Sequence, residues 1–164
     1  MLTVDTIQFT RALGLAASVI KRRNVIPALG AARLSVNGGL VIEGSDLDTT
    51  TRAEIACQGT TDDFCLPDPL RLRDALRQAG SGAVILQAGG EKPTLSAISG
   101  DFSASLATLA ASDHPGAELP DEVEFTATLG AEALGQIARV MPAVSTEETC
   151  YYLSGVCVHR IGDW

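Results

Sequence analysis

Residues 32–43 read Ala-Arg-Leu-Ser-Val-Asn-Gly-Gly-Leu-Val-Ile-Glu, two short apolar runs (Ala32–Val36 and Leu40–Glu43) joined at Asn37-Gly38-Gly39. A tight hairpin needs positive φ at its tip, and Asn-Gly takes that conformation readily. The stretch therefore predicts two antiparallel strands. Thr49–Cys57 supplies a third, in which Thr51, Ala53 and Ile55 alternate with Arg52 and Glu54, the pattern of a sheet wet on one face.

Upstream, Thr3-Val4 reads as a short strand. Phe9, Leu13, Ala16, Ala17 and Ile20 then recur at helical spacing, and Pro27 closes the region by biasing Ile26 to extended geometry. Downstream the same order restarts. Asp63–Leu66 reads as a strand, and Pro67-Asp68-Pro69 opens a helix with Leu72, Ala75, Leu76 and Ala79 on one face. Gly80-Ser81-Gly82 ends it, and strands follow at Ala83–Gln87, Thr94–Ser99 and Asp101–Leu109. In the last of these Phe102, Ala104 and Leu106 alternate with Ser103 and Ser105. Residues 1–110 thus hold two copies of strand, helix, three strands.

A polar stretch from Ala111 to Glu122 marks a boundary. The predicted organisation is a first domain over 1–115, a linker over 116–122 and the beginning of a second domain over 123–164. There Val123–Thr128 reads as a strand, Leu134, Ile137, Ala138 and Met141 as the inward face of a helix, and Tyr151–His159 as another strand. Ala12-Leu13-Gly14 recurs as Ala133-Leu134-Gly135, and Leu34 and Val36 fall on Val156 and Val158, which is repetition at domain scale. One helix and two strands cannot bury a core by themselves, so this third copy reads as incomplete.

The chain has 164 residues, with 46% hydrophobic, 20% charged and 4% aromatic side chains. That is ordinary globular composition, and a chain of this length buries roughly 70% of its unfolded surface without help from metals or disulfides. No apolar run approaches the ~18 residues of a membrane span, and no basic-then-apolar leader opens the sequence; a cytoplasmic location is expected. Cys57, Cys65, Cys150 and Cys157 include no CxxC pair, which points to free thiols. His114 lies far from every cysteine and His159 stands two residues from Cys157 alone; neither gives finger-like spacing, so no zinc site is expected.

Twenty acidic and twelve basic side chains leave a net charge of −8, which on average argues against nucleic acid. The signs are not evenly spread. The predicted helical segments 5–23, 67–79 and 129–142 carry Arg11, Lys21, Arg22, Arg23, Arg71, Arg73, Arg77 and Arg139 against four acids, a net of +4 with −12 elsewhere. Helical spacing sets Arg11 with Arg22, Arg73 with Arg77, and Arg139 away from the apolar stripes. This fits either ordinary solvated helix faces or a basic lining for a polyanion on an acidic body.

Catalytic motifs are missing: there is no nucleophile elbow, P-loop, HExxH or dinucleotide fingerprint. Asp46-Leu47-Asp48 lacks the glycine and distal glutamate of a calcium loop. Asp113-His114 lies in a proline-bounded linker and shows no second positioned group for acid–base catalysis. No enzyme activity and no cofactor are expected. The unusual features are Lys21-Arg22-Arg23 and the paired Tyr151-Tyr152.

Several stretches together resemble the bacterial DNA polymerase III beta subunit family, the sliding clamps. They are Arg23-Asn24-Val25-Ile26-Pro27-Ala28-Leu29, Gly44-Ser45-Asp46-Leu47-Asp48, and Thr108-Leu109 with Asp113-His114-Pro115. The longest is Ala143-Val144-Ser145-Thr146-Glu147-Glu148-Thr149-Cys150-Tyr151-Tyr152-Leu153-Ser154-Gly155-Val156. The resemblance implies an α+β clamp architecture of repeated β-α-β-β-β units, with helices on one face of antiparallel sheets. It further implies a head-to-tail homodimeric ring around duplex DNA, phosphate contacts without base readout, and partnership with the replicative polymerase and clamp loader, with no membrane role. Carried over by position, Arg22, Arg23, Thr146, Glu147, Tyr151 and Tyr152 would touch DNA. Leu153 would form one wall of the partner-peptide cleft, and Arg71, Ala75, Ala104 and Leu106 would lie at the ring interface. The sequence departs from the family pattern at Cys150, Ser154, Ala104 and His114, where the family often has arginine, asparagine, an aromatic and phenylalanine. The alternative reading is a clamp-fold interaction module that does not encircle DNA.

Overall fold

The structure, a computed structural model, describes residues 1–20, 26–89, 94–115 and 128–159. It divides into two compact units, Met1–Leu119 and Pro120–Trp164.

In the first unit β1 (Leu2–Asp5) leads into α1 (Thr6–Ala16), followed by β2 (Ala31–Val36), β3 (Leu40–Ser45), β4 (Thr50–Ile55) and β5 (Cys57–Gly59). The order then repeats as β6 (Phe64–Pro67), α2 (Pro69–Ala79), β7 (Ala83–Gly89), β8 (Thr94–Ser99), β9 (Phe102–Ala107) and β10 (Leu109–Ala110). The strands form two antiparallel sheets, β5-β1-β7-β8-β9 and β10-β6-β2-β3-β4. Each half therefore lends its first and last strands, β1 with β5 and β6 with β10, to the sheet built from the other half's middle three. Neither half can complete its sheet alone, and one core forms between them.

Local chemistry starts the elements where the sequence predicts. Asn37 N–H bonds the Gly39 carbonyl at 2.9 Å with Gly38 at φ 73°, closing the β2–β3 hairpin. The Asp5 carboxylate accepts from Gln8 N–H at 2.8 Å at the start of α1, and Asp68 accepts from Arg71 N–H at 3.3 Å ahead of Pro69 at the start of α2. Both helices turn their apolar stripes inward. Phe9 and Leu13 of α1 and Leu72 and Leu76 of α2 are buried with Leu34, Ile42, Leu66, Leu86 and Leu95 in a single cluster. Truncating any of these leucines to alanine costs ~2–5 kcal/mol.

The element ends differ from the sequence reading in three places. The helix expected to reach Arg23 stops at Ala16, because the Leu15 carbonyl is taken by Ser18 N–H, Ser18 Oγ–H and Thr51 Oγ1–H. Gly44 of β3 packs so close that a β-carbon there would overlap the Ala16 carbonyl. Arg22, expected to share a helix face with Arg11, lies outside the described residues. The strand expected over Thr49–Cys57 breaks at Ala56, since β5 leaves the second sheet to pair with β1. The strand expected over Asp101–Leu109 likewise ends at Ala107, and Leu109–Ala110 pairs with β6 instead.

In the second unit α3 (Ala131–Val140) is followed by 3-10 turns at Met141–Ala143 and Glu148–Leu153. The strand expected at Tyr151–His159 is not formed: Tyr151–Leu153 is a 3-10 turn and 154–159 has no regular structure. A strand needs a neighbour for its backbone hydrogen bonds, and no described residue pairs with this one. The face of α3 expected to point inward is not buried either, with Leu134 55% and Met141 53% exposed, because the described residues of the second unit form no sheet for it to pack on. The strand expected at Val123–Thr128 falls almost wholly outside the described residues, and Thr128 itself is not in a strand.

Candidate functional site

Helix bounds set the distribution of charge. α1, α2 and α3 carry Arg11, Arg71, Arg73, Arg77 and Arg139 against only Asp74 and Glu132, a net of +3, which leaves −11 on the rest of the chain. α1 and α2 pack against each other. Arg11 and Arg77 are exposed, whereas Arg73 is half-buried beside Gly14 of α1. Asp74 takes Arg73 Nη2 at 2.7 Å and Arg77 Nη1 at 3.9 Å, so one carboxylate tethers two guanidiniums and the face keeps a positive excess. Lys21, Arg22 and Arg23 lie outside the described residues.

The four positions expected at a ring interface come together. Arg71 and Ala75 of α2 and Ala104 and Leu106 of β9 line one groove of about 450 Å³, along an edge strand of the first sheet. The repeat supplies a second groove that the sequence reading missed. α1 and α2 are both eleven residues long, and Gln8 and Ala12 of α1 stand where Arg71 and Ala75 stand in α2. Ala53 and Ile55 of β4, an edge of the second sheet, stand where Ala104 and Leu106 stand in β9. Gln8, Ala12, Ala53 and Ile55, with Arg11 and Leu15, line a groove of about 260 Å³. Matching the alternation Thr51-Ala53-Ile55 to Phe102-Ala104-Leu106 is the signal that could have found it.

In the second unit Arg139 is exposed on α3. The loop after it is closed by Ser145 N–H on the Leu153 carbonyl at 2.9 Å, and Ser145 Oγ accepts from Glu147 N–H at 3.1 Å. This closure presents Thr146 and Glu147 beside a turn carrying Tyr151, Tyr152 and Leu153, all exposed. The two tyrosine rings pack edge to face at 5.6 Å, and at 78% and 71% exposure neither points inward. They form an aromatic surface of the kind that stacks on or slides along a polar ligand.

The four cysteines are free. Burial pushes the Cys65 thiol up to about 11, against the pull of the neighbouring Arg33, which keeps it protonated and unreactive. Among the described residues no group of three or more His, Cys, Asp or Glu side chains could hold a metal ion, and no helix is long and apolar enough to cross a membrane.

Residues 1–120 match the family model described as DNA polymerase III beta subunit, N-terminal domain. The beta sliding clamp of Caulobacter vibrioides is 32% identical over 164 residues, covering 99% of this chain and 44% of that protein. The chain thus spans less than half the length of the relatives it matches. Among solved structures, a sliding clamp (DNA polymerase III subunit beta) from Bartonella birtlesii bound to griselimycin superimposes with a TM-score of 0.79 at 29% identity, covering 99% of this chain and 44% of that one. The DNA polymerase sliding clamp from Caulobacter crescentus gives 0.76 at 30% identity, covering 93% and 42%. The beta subunit of Thermotoga maritima, at 18% identity and a TM-score of 0.76, shares the fold over 91% of this chain and 41% of its own.

Proposed function

The chain belongs to the DNA polymerase III beta subunit family, and from that premise we propose that it supplies the first domain, and the beginning of a second, of a sliding clamp: a non-catalytic accessory factor that tethers the replicative polymerase to duplex DNA. The observation that carries this reading is the pair of repeat-related grooves, α1–β4 and α2–β9, at edge strands of two sheets. A domain with two like edges can take a neighbour on each side, and heterologous contacts of this kind generate rings when the rotation closes. The α2–β9 edge is where a second chain docks.

Within such a ring the basic faces of α1 and α2 meet the phosphates, aided by Lys21, Arg22, Arg23 and Arg139, while Thr146, Glu147, Tyr151 and Tyr152 form a second contact. Affinity then comes from counterion release and carries no sequence preference. The acidic remainder repels DNA from the outer wall. Leu153 contributes one wall of a cleft for polymerase and loader peptides.

Fluorescence anisotropy with duplexes of unrelated sequence, titrated with salt, tests the reading. Equal affinities that fall linearly with log salt are expected; a strong preference for one sequence counts against it. A second reading, an interaction module that does not encircle DNA, is favoured by the small side chains of the α2–β9 groove. There Ala75, Ala104 and Ala107 leave room that a partner other than a second copy could fill.

A further inference from the structure

Residues Ala111–Asp113 form a 3-10 turn, closed by His114 N–H on the Ala111 carbonyl at 3.2 Å. His114 follows directly and is 6% exposed. It sits against a face of the second sheet that the apolar core does not use. Leu34, Ile42 and Leu66 point into the core, so strand alternation sends Arg33, Glu43 and Cys65 to the opposite face. Cross-strand register sets Glu43 beside Arg33 and Arg33 beside Cys65 in one row across β3, β2 and β6. Glu43, also 6% exposed, lies 3.9 Å from Arg33 Nη1, whose Nη2 reaches Asp63 at 3.2 Å.

We propose that His114 is a proton-operated latch: neutral, it seats residues 111–115 on this polar row; protonated, it releases them. The groups that face it settle the direction. Glu43 favours a proton on the imidazole, but that carboxylate is already shared with Arg33, and Arg33 itself repels a second cation. Asp63 is half-exposed and engaged by Arg33, Asp113 lies on the turn itself, and the Cys65 thiol is neutral and met by the His114 backbone N–H. Burial of the ring dominates and holds the His114 pKa below its ordinary 6.5. A depressed histidine pKa means that release takes up a proton, so seating is complete above pH 6.5, weakens as pH falls from 6.5 towards the seated value and levels off below it.

The chain has only two histidines, so the His114 imidazole is readily assigned. The test pairs an NMR titration of the His114 imidazole with hydrogen exchange at residues 111–114, in the wild type and in His114→Phe, which fills the seat without titrating. His114 is expected to titrate below the ordinary 6.5. Wild-type opening of 111–114, corrected for intrinsic rates, should rise by up to about tenfold per pH unit below 6.5 until the seated ring titrates, and His114→Phe should stay flat. His114→Gln gives the same comparison should the phenylalanine variant not fold. Titration of His114 at or above 6.5, protection that does not change with pH, or equal pH dependence in the variants would each overturn the proposal.

Discussion

The Arg73 side chain of α2 lies against Gly14 of α1, its Cδ 3.6 Å and its Nη1 3.7 Å from where a β-carbon on that glycine would stand. An arginine on one helix thus rests on the bare backbone of the other, and Asp74 fixes its guanidinium at 2.7 Å. The contact joins the two repeats on the face that carries Arg11 and Arg77, so helix pairing and the placing of positive charge are one feature.

Those distances are ordinary van der Waals separations, so Gly14→Ala fits without moving Arg73. Alanine is the better helix former by about 1 kcal/mol, and urea denaturation should show a stabilisation of that order. Gly14→Leu, which needs the space Arg73 occupies, should destabilise by ~1–3 kcal/mol.

The α2–β9 groove is open beside Ala104. Ala104→Arg places a long cation where a neighbouring domain is proposed to pack, and Ala53→Arg does the same at the repeat-related edge. Sedimentation equilibrium should show association weakened at least about tenfold by Ala104→Arg, the effect of ~1.4 kcal/mol, with circular dichroism unchanged. Association that survives both substitutions would place the contacts elsewhere.

Cys65 is expected to resist thiol reagents at pH 8 in the folded protein, because burial holds its pKa near 11 and leaves almost no thiolate. Exposed Cys157 should react. The unfolded thiol ionises near 9.0 and the folded one near 11, so the contribution of Cys65 to stability is complete below pH 9 and is lost as pH rises through 11. Mass spectrometry after labelling, with and without urea, checks the first point, and alkaline melts of wild type against Cys65→Ala check the second.

Much of the fold is written in local chemistry. Asn37-Gly38-Gly39 turns a hairpin, Asp68-Pro69 starts a helix, and the alternation at Phe102-Ala104-Leu106 makes a half-buried strand, each through interactions within a few residues. What local sequence did not carry depends on distant partners. Ala17 and Ile20 prolong the periodicity of α1, yet the helix ends because Thr51, from another element, bonds the Leu15 carbonyl at 3.3 Å. Cys57 continues the alternation of β4 but belongs to the other sheet, where Val4 is its partner. Tyr151–His159 has strand-like composition and no neighbour among the described residues to pair with.

The candidate sites divide in the same way. Arg71, Ala75, Ala104 and Leu106, expected at a ring interface, line one groove. Gln8, Ala12, Ala53 and Ile55 went unnoticed, although the repeat that relates them was legible. The seat of His114 depends on the register of three strands, and nothing within its own turn announces it.

The central claim, that DNA meets the helical face and not the sheets, is tested most directly by two charge reversals of equal size. Arg77→Glu alters exposed α2, and Arg52→Glu alters the exposed face of β4. Duplex affinity by fluorescence anisotropy should fall for Arg77→Glu, with the salt slope reduced by about one, and should stay near wild type for Arg52→Glu. Equal losses in both variants, or a larger loss in Arg52→Glu, would contradict the account.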